Sequence, residues 1–311
     1  MEYVIGIDSG GTNYRIKAAS LDGATLAYFV GNEANHYHIG RDEMRRRVDS
    51  HFSTLLKMFG GSAKDCKYIV CGTTGLDSPE DEEYLTSFYE NIEGFDCPVK
   101  VINDAELAHY TVTGGEGVLI ISGTGSIAFA SDKQNNHARA GGYLFTILGD
   151  EGSGSWVSRA ALQHLGRYFD GAVEETYLVD LLQQRLGIID RNGLNRLAFS
   201  MGNMPWTCPK VGDLVDEASK TDVFAKSILE KAASYLIDIV SDVVSALSLS
   251  EKEPDFKLGL WGSNLLHSKV LKNSFISLAK ERYPECKIIE ADIESIDGSI
   301  KMALELLSQT R

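Results

Sequence analysis

A carboxylate at the end of an apolar strand, followed at once by two glycines and a hydroxyl, is a combination suited to handling phosphate. The chain carries it at Asp8-Ser9-Gly10-Gly11-Thr12, directly after the apolar run Tyr3 to Ile7. Backbone N–H groups of a glycine-rich turn can approach a phosphate closely. Asp8 can hold Mg²⁺ through water, and the Thr12 hydroxyl can add a hydrogen bond. The same residues also make an ordinary hairpin turn, because a strand with period-two alternation resumes at Tyr14. The arrangement recurs at Ser122-Gly123-Thr124-Gly125-Ser126, between the apolar runs Val118 to Ile121 and Ile127 to Ala130. Two further acids stand at element boundaries. Asp104 follows the strand Val99 to Ile102 and opens a short helical stretch, where it reads as a helix cap or a site acid. Asp150 and Glu151 lie in Gly149-Asp150-Glu151-Gly152-Ser153, ahead of a helix from about Trp156 to Tyr168, where Asp150 is a turn acid, a cap or a binding group. The pair His36-x-His38 lacks a third metal ligand and reads as packing and loop hydrogen bonding.

The elements that must position these groups are legible in outline. The opening predicts three strands in an antiparallel meander, the third from Thr25 to Val30, then a polar, aromatic loop over 31–38. Met44, Val48, Phe52, Leu55 and Phe59 recur at helical spacing, and Gly60-Gly61 ends that helix. Tyr68 to Cys71 is a short strand followed by Gly72-Thr73-Thr74-Gly75. Ser78-Pro79 starts another helix, with Ser as cap and Pro at the first helical position. The second half restarts at Gly114-Gly115-Glu116-Gly117 and is mostly helical. Its helices are expected over Val173 to Leu186, Arg191 to Phe199, Val211 to Ser219 and Asp222 to Leu247. A strand from Asp255 to Trp261 then leads through Gly262-Ser263-Asn264 into one helix ending at Arg282. A strand Lys287 to Glu290 and a last helix from Asp297 to Leu307 complete the order. The echo of the opening hairpin predicts a duplicated α/β architecture with a cleft between the halves, one glycine-rich turn facing it from each side.

Composition narrows the function classes. The chain has 311 residues, 43% of them apolar, enough for two compact domains. A net charge of −14 argues against nucleic-acid or anionic-membrane binding, and Arg45-Arg46-Arg47 reads as a solvated helix face. Five cysteines, Cys66, Cys71, Cys97, Cys208 and Cys286, form no C-x-x-C pair. They argue against a disulfide framework or a zinc site and for a reducing compartment. With no signal-like start and Asp238 and Asp242 interrupting the most apolar segment, a cytoplasmic location is the expectation.

Taken together, Ile7 to Thr12, Asn35-His36, Asn103-Asp104-Ala105, Ile121 to Ser126 and Gly149 to Ser153 resemble, in order, the sugar-kinase, heat-shock-protein-70 and actin superfamily. Within it the likeness is to the N-acetylglucosamine kinase family, grouped with the BadF/BadG/BcrA/BcrD-type ATPases. That resemblance implies duplicated ribonuclease H-like domains, over 1–113 and 114–297, with a terminal helix over 298–309 packing back on the first. It implies ATP and Mg²⁺, an N-acetylated amino sugar phosphorylated on its 6-hydroxyl, and a homodimer. Asp104 becomes the general base that accepts the sugar hydroxyl proton, and Asp8 the metal residue. Gly10, Gly11, Thr12, Asn13, Gly123, Thr124, Gly125, Ala218, Gly262 and Ser263 become the ATP-binding set. Asn35, His36, Asp104, Gly142, Tyr143, Asp150 and Glu151 become the sugar-binding set.

One departure touches specificity. Members that phosphorylate N-acetylglucosamine commonly carry Gly-Gly-Trp-Gly before the Gly-Asp-Glu-Gly; this chain has Gly141-Gly142-Tyr143-Leu144-Phe145 and one extra residue before Asp150. The change puts the shape of the sugar pocket in question, and the expectation drawn from it is room for a bulkier sugar such as N-acetylmuramic acid. A broad glucokinase, an ATPase activating a partner redox enzyme through a cysteine-bound cluster, and a non-catalytic sugar sensor remain alternatives.

Overall fold

The computed structural model describes residues 1–76, 78–143, 148–201, 209–291 and 293–309. In chain order the elements are β1 (Tyr3–Ser9), β2 (Asn13–Ser20), β3 (Thr25–Asn32), α1 (His36–Ile39), α2 (Arg41–Phe59), β4 (Cys66–Thr73), α3 (Pro79–Glu90), β5 (Val99–Asn103) and α4 (Asp104–Thr113). There follow β6 (Gly117–Ser122), β7 (Ser126–Ser131), β8 (His137–Gly141), α5 (Gly154–Phe169), α6 (Tyr177–Leu186), α7 (Arg191–Met201), α8 (Gly212–Ala218) and α9 (Val223–Leu247). The chain closes with α10 (Leu249–Lys252), β9 (Lys257–Trp261), α11 (Ser263–His267), α12 (Lys269–Arg282), β10 (Lys287–Glu290) and α13 (Ser295–Gln309). The chain divides into two compact units, residues 1–115 with 291–311, and residues 116–290.

In the first unit the sheet order is β3-β2-β1-β4-β5, with β1 antiparallel to β2, β2 antiparallel to β3, and β1, β4 and β5 parallel. The expected meander is therefore present. Tyr14, Ile16, Ile5 and Ile7 point with Met44, Val48, Phe52 and Leu55 of α2 into one core. The opposite face packs Val4, Ala19, Tyr68 and Val70 against Ile300 and Ala303 of α13. The approach is close. A side chain at Gly6 would stand 2.1 Å from the Ser299 hydroxyl, and one at Gly298 would strike Thr111 of α4. The Ser78 hydroxyl accepts from Asp81 N–H at 3.1 Å with Pro79 at the first turn, as the sequence signature required.

In the second unit the order β10-β9-β6-β7-β8 reproduces the first: three antiparallel strands, then two parallel ones. The long helix α9 lays Ala232, Leu236, Val240 and Val243 into the unit's core, its start capped by Asp222, which accepts from Phe224 and Ala225 N–H.

Several sequence expectations are corrected here. β3 runs on to Asn32 and α1 begins at His36, so 31–38 is not one loop. The segment 173–176 precedes a helix that starts only after the Thr176 cap, and β9 starts at Lys257. The single helix expected up to Arg282 is two, because Ser268 turns to accept from Leu271 N–H and caps α12. β8 was not expected at all. Cys66, Cys71 and Cys286 are buried and Cys97 is half-buried; Cys208 lies outside the described residues. Among the described residues no helix is long and apolar enough to cross a membrane.

Two buried histidines carry a pH consequence. His164 is 3% exposed, stacks on Phe224 with ring centroids 3.8 Å apart, and neither ring nitrogen has a partner among the described residues. His51 packs between Tyr14 and Phe29, with Nδ1 unpartnered among the described residues. Burial lowers the pKa of both. A base whose folded pKa is depressed binds its proton first in the unfolded chain, so stability falls as pH drops through the unfolded value of about 6.5 toward the folded one. His164→Leu should remove one such group. Urea midpoints at pH 7 and pH 5.5 should then converge, the difference from wild type reaching at most about 1.4 kcal/mol per pH unit. Equal acid sensitivity in both proteins would contradict this.

Candidate active site

In the first unit the candidate residues share one edge of the sheet. Ser9 pairs with Thr73 on β4, and Thr73 pairs with Asn103 on β5. Asp8 is therefore one residue before a common row and Asp104 one residue after it, two strand spacings (about 10 Å) apart across the sheet and about 7 Å apart along it. The Asp8 side chain is 15% exposed, and its Oδ2 accepts from Arg15 Nη1 at 3.0 Å. Burial raises its pKa, while the Arg15 charge and hydrogen bond hold it down. A half-buried carboxylate with one oxygen outside the ion pair is a hard donor of the kind Mg²⁺ takes alongside water and phosphate oxygens. Its free oxygen is compatible with an ion that takes its other ligands from water and phosphate, and Asp8 is the residue that would hold it.

The turn after Asp8 is closed by Gly10 N–H donating to Asn13 O at 3.0 Å, and Gly11, Thr12 and Asn13 are exposed. A side chain at Gly10 would meet nothing closer than 3.9 Å and one at Gly11 nothing within 4 Å, and neither residue has positive φ. The turn does not need these glycines for its own geometry; they leave the backbone open from outside.

Asp104 is the first helical residue of α4, and Asn103 is the cap, its Oδ1 accepting from Ala105 N–H at 2.9 Å. Asp104 Oδ1 takes the same N–H at 2.9 Å, and Asn103 Nδ2 donates to Leu76 O. Asn103, not Asp104, is thus the cap residue, although both side chains accept the same N–H. Asn35 is buried and caps α1: Oδ1 accepts from Tyr37 N–H at 2.9 Å and Nδ2 donates to Thr74 Oγ1 at 3.3 Å. Thr74 N–H in turn donates to Ser9 O at 2.9 Å, so Asn35 is held against the first glycine-rich turn. His36 is buried beside Tyr37 and Tyr84, its Nε2 3.4 Å from Asp81, which also accepts from Tyr37 Oη and Ser78 Oγ. His38 pairs with Glu33. The two histidines therefore do separate jobs in fixing α1.

In the second unit a cavity of about 420 Å³ is lined by Gly123, Thr124, Asp213, Asp216, Ser263 and Asn264 among others. No atom of the described residues would obstruct a side chain at Gly123. Gly125 differs: a side chain there would come within 2.7 Å of Asp150 Oδ1, so its bare Cα seats that carboxylate. Asp150 adopts φ +67°, a conformation rarely taken outside glycine, and its Oδ1 accepts from Ser126 N–H at 2.8 Å. Burial raises its pKa and the Ser126 N–H opposes this. Ser153, not Asp150, caps α5, and Glu151 is exposed. Gly142 donates to Ser126 O and Tyr143 is exposed; Leu144 and Phe145 lie outside the described residues. Ala218 is fully buried in the core, and it is Asp213 and Asp216 on the same helix that reach the cavity. Gly262, at φ +96°, packs on the Ser122–Gly123 peptide while Ser263 lines the cavity. Arg15, Thr74 and Asn264 were missed from sequence.

The model of the BadF/BadG/BcrA/BcrD ATPase family matches residues 5–304. The chain belongs to this family. Among curated relatives it is 30% identical over 308 residues to an N-acetylmuramic acid/N-acetylglucosamine kinase of Clostridium acetobutylicum, covering 97% of this chain and 98% of the relative. It is 26% identical to an N-acetyl-D-glucosamine kinase of Dictyostelium discoideum, covering 97% and 98%. A solved structure from Chromobacterium violaceum, described as a candidate N-acetylglucosamine kinase, superposes with a TM-score of 0.75 at 23% identity, covering 98% of this chain and 99% of that one. The fold is thus α/β, with the duplicated ribonuclease H-like domains of sugar kinases, and the family's match spans both units.

Proposed function

We propose that the chain is an ATP-dependent kinase that transfers the γ-phosphate to the 6-hydroxyl of an N-acetylated amino sugar, N-acetylglucosamine, N-acetylmuramic acid or both. The observation that carries the chemistry is the strand register that brings Asp8 and Asp104 to one edge of the first sheet. Asp104 accepts the proton of the sugar hydroxyl as its oxygen bonds to the γ-phosphorus and the bond to the ADP bridging oxygen breaks. Asp8 would hold Mg²⁺, which when bound neutralises charge on the β- and γ-phosphates. The turns Gly10 to Asn13 and Gly123 to Gly125 present N–H and hydroxyl donors to the phosphates, and the cavity bounded by Ser263 and Asp216 takes the nucleoside. Asn35, Asp150 and the Gly142-Tyr143 segment contact the sugar. A homodimer is part of the same proposal.

The relatives' names and the shared family favour an amino sugar over a plain hexose. The test is ADP release across glucose, glucosamine, N-acetylglucosamine and N-acetylmuramic acid. The N-acetylated sugars should exceed glucose in kcat/KM by at least about tenfold, since a site built for the acetamido group leaves polar groups unpaired without it. Equal turnover of glucose would make the enzyme a broad glucokinase, and absence of sugar-dependent ADP release would overturn the kinase reading.

A further inference from the structure

The loop that carries Asp150 and the second glycine-rich turn are laced together residue by residue. Gly154 N–H donates to Gly123 O at 2.8 Å and Ser155 N–H to Thr124 O at 3.3 Å. Ser126 gives its N–H to Asp150 Oδ1 and its hydroxyl to Glu151 O, both at 2.8 Å. Ser122, fully buried, donates its hydroxyl to Gly152 O at 3.0 Å. One side chain from outside enters this lattice. Asn264 Nδ2 donates to Ser122 Oγ at 2.9 Å and to Gly152 O at 3.2 Å, and the same residue lines the 420 Å³ cavity. Gly152 O thus receives two donors, two residues beyond an Asp150 held at φ +67°.

We propose that Asn264 is a positioning residue that couples nucleotide occupancy of the cavity to the loop presenting Asp150 to the sugar; this rests on the kinase reading above. A nucleoside that fixes the Asn264 side chain fixes the Gly152 carbonyl and the Ser122 hydroxyl with it. That support holds Asp150 in its left-handed conformation against relaxation. By linkage, a sugar that engages Asp150 must tighten nucleotide binding by the same factor.

The test is titration of a non-hydrolysable ATP analogue, with and without a saturating sugar that the ADP-release assay shows to be turned over. In the wild type the sugar should tighten the analogue by about fivefold or more. In Asn264→Ala that ratio should fall to within about twofold of unity, and Ser122→Ala should lower it in the same direction because it cuts the same bridge. His267→Ala alters the same cavity wall without touching the lattice, and should change analogue affinity equally in both titrations. An unchanged ratio in Asn264→Ala overturns the proposal, as does a wild-type ratio of one with a sugar that is phosphorylated; both leave the kinase reading standing. If no sugar is turned over, the kinase reading fails and the coupling with it.

Discussion

Asp104→Asn should lower kcat by about 10²- to 10⁴-fold while leaving the melting temperature and the sugar KM close to wild type. Asn keeps the shape and an Oδ1 able to accept from Ala105 N–H, as Asp104 does at 2.9 Å. The helix start survives, because Asn103 independently caps it through the same N–H. What Asn cannot do is take a proton from the hydroxyl that attacks the γ-phosphate. Binding and folding are thus separated from chemistry in one substitution, and the loss belongs in kcat. A companion, Asn103→Ala, should cost about 1 kcal/mol of stability through the lost cap. Steady-state kinetics and thermal melts on both variants decide the matter. Turnover of Asp104→Asn within about threefold of wild type would move the base elsewhere.

The second large effect is expected from Gly262→Ala. A Cβ there would stand 2.4 Å from Ser122 O, 2.5 Å from its carbonyl carbon and 2.9 Å from Gly123 N, at φ +96°. All three are backbone atoms of the second glycine-rich turn, so no side chain can swing aside. Steric overlap and the unfavourable φ together should cost about 2–5 kcal/mol, and nucleotide binding should be lost as the turn is pushed out of place. Gly11→Ala and Gly123→Ala should behave oppositely. No atom of the described residues lies within 4 Å of either added carbon, and neither glycine has positive φ. Stability should hold or rise by about 0.4–1 kcal/mol, because the unfolded chain loses freedom. Nucleotide affinity should nonetheless fall, since the methyl sits where a phosphate would approach. Denaturant unfolding paired with nucleotide titration distinguishes the two classes. A Gly262→Ala protein as stable as wild type would refute the first half, and a Gly123→Ala protein with unchanged affinity the second.

The contrast also explains which features could be read from sequence. Strand–turn–strand signals at Asp8 to Thr12 and Ser122 to Ser126, and the Ser78-Pro79 helix start, are local, and they stand where expected. β8 escaped because His-Ala-Arg-Ala-Gly offers neither β-branched residues nor aromatic weight. Its counterpart β3 would have revealed it had the duplication been carried one strand further. The break at Ser268 was hidden because apolar residues continue on both sides of it, and only the cap marks it. In the candidate site, carboxylates at strand ends were visible, whereas Thr74 and Asn264 act through hydrogen bonds to carbonyls remote in the chain and leave no spacing signal. The space beside the bare Cα of Gly125 is filled by the Asp150 carboxylate, a relation visible only in three dimensions.

The seating of α13 on β1 and β4 has a consequence for how the protein is made. Residues 295–309 are synthesised after the whole of the second unit, yet they cover Val4, Ala19, Tyr68 and Val70 of the first. The nascent first unit must therefore wait with the apolar part of its sheet that α13 covers still bare, while residues 116–290 emerge and can complete their own core. Folding of the two units runs against the order of translation, and the interval in which that part is bare is when a growing chain is most exposed to misassociation and most dependent on chaperones.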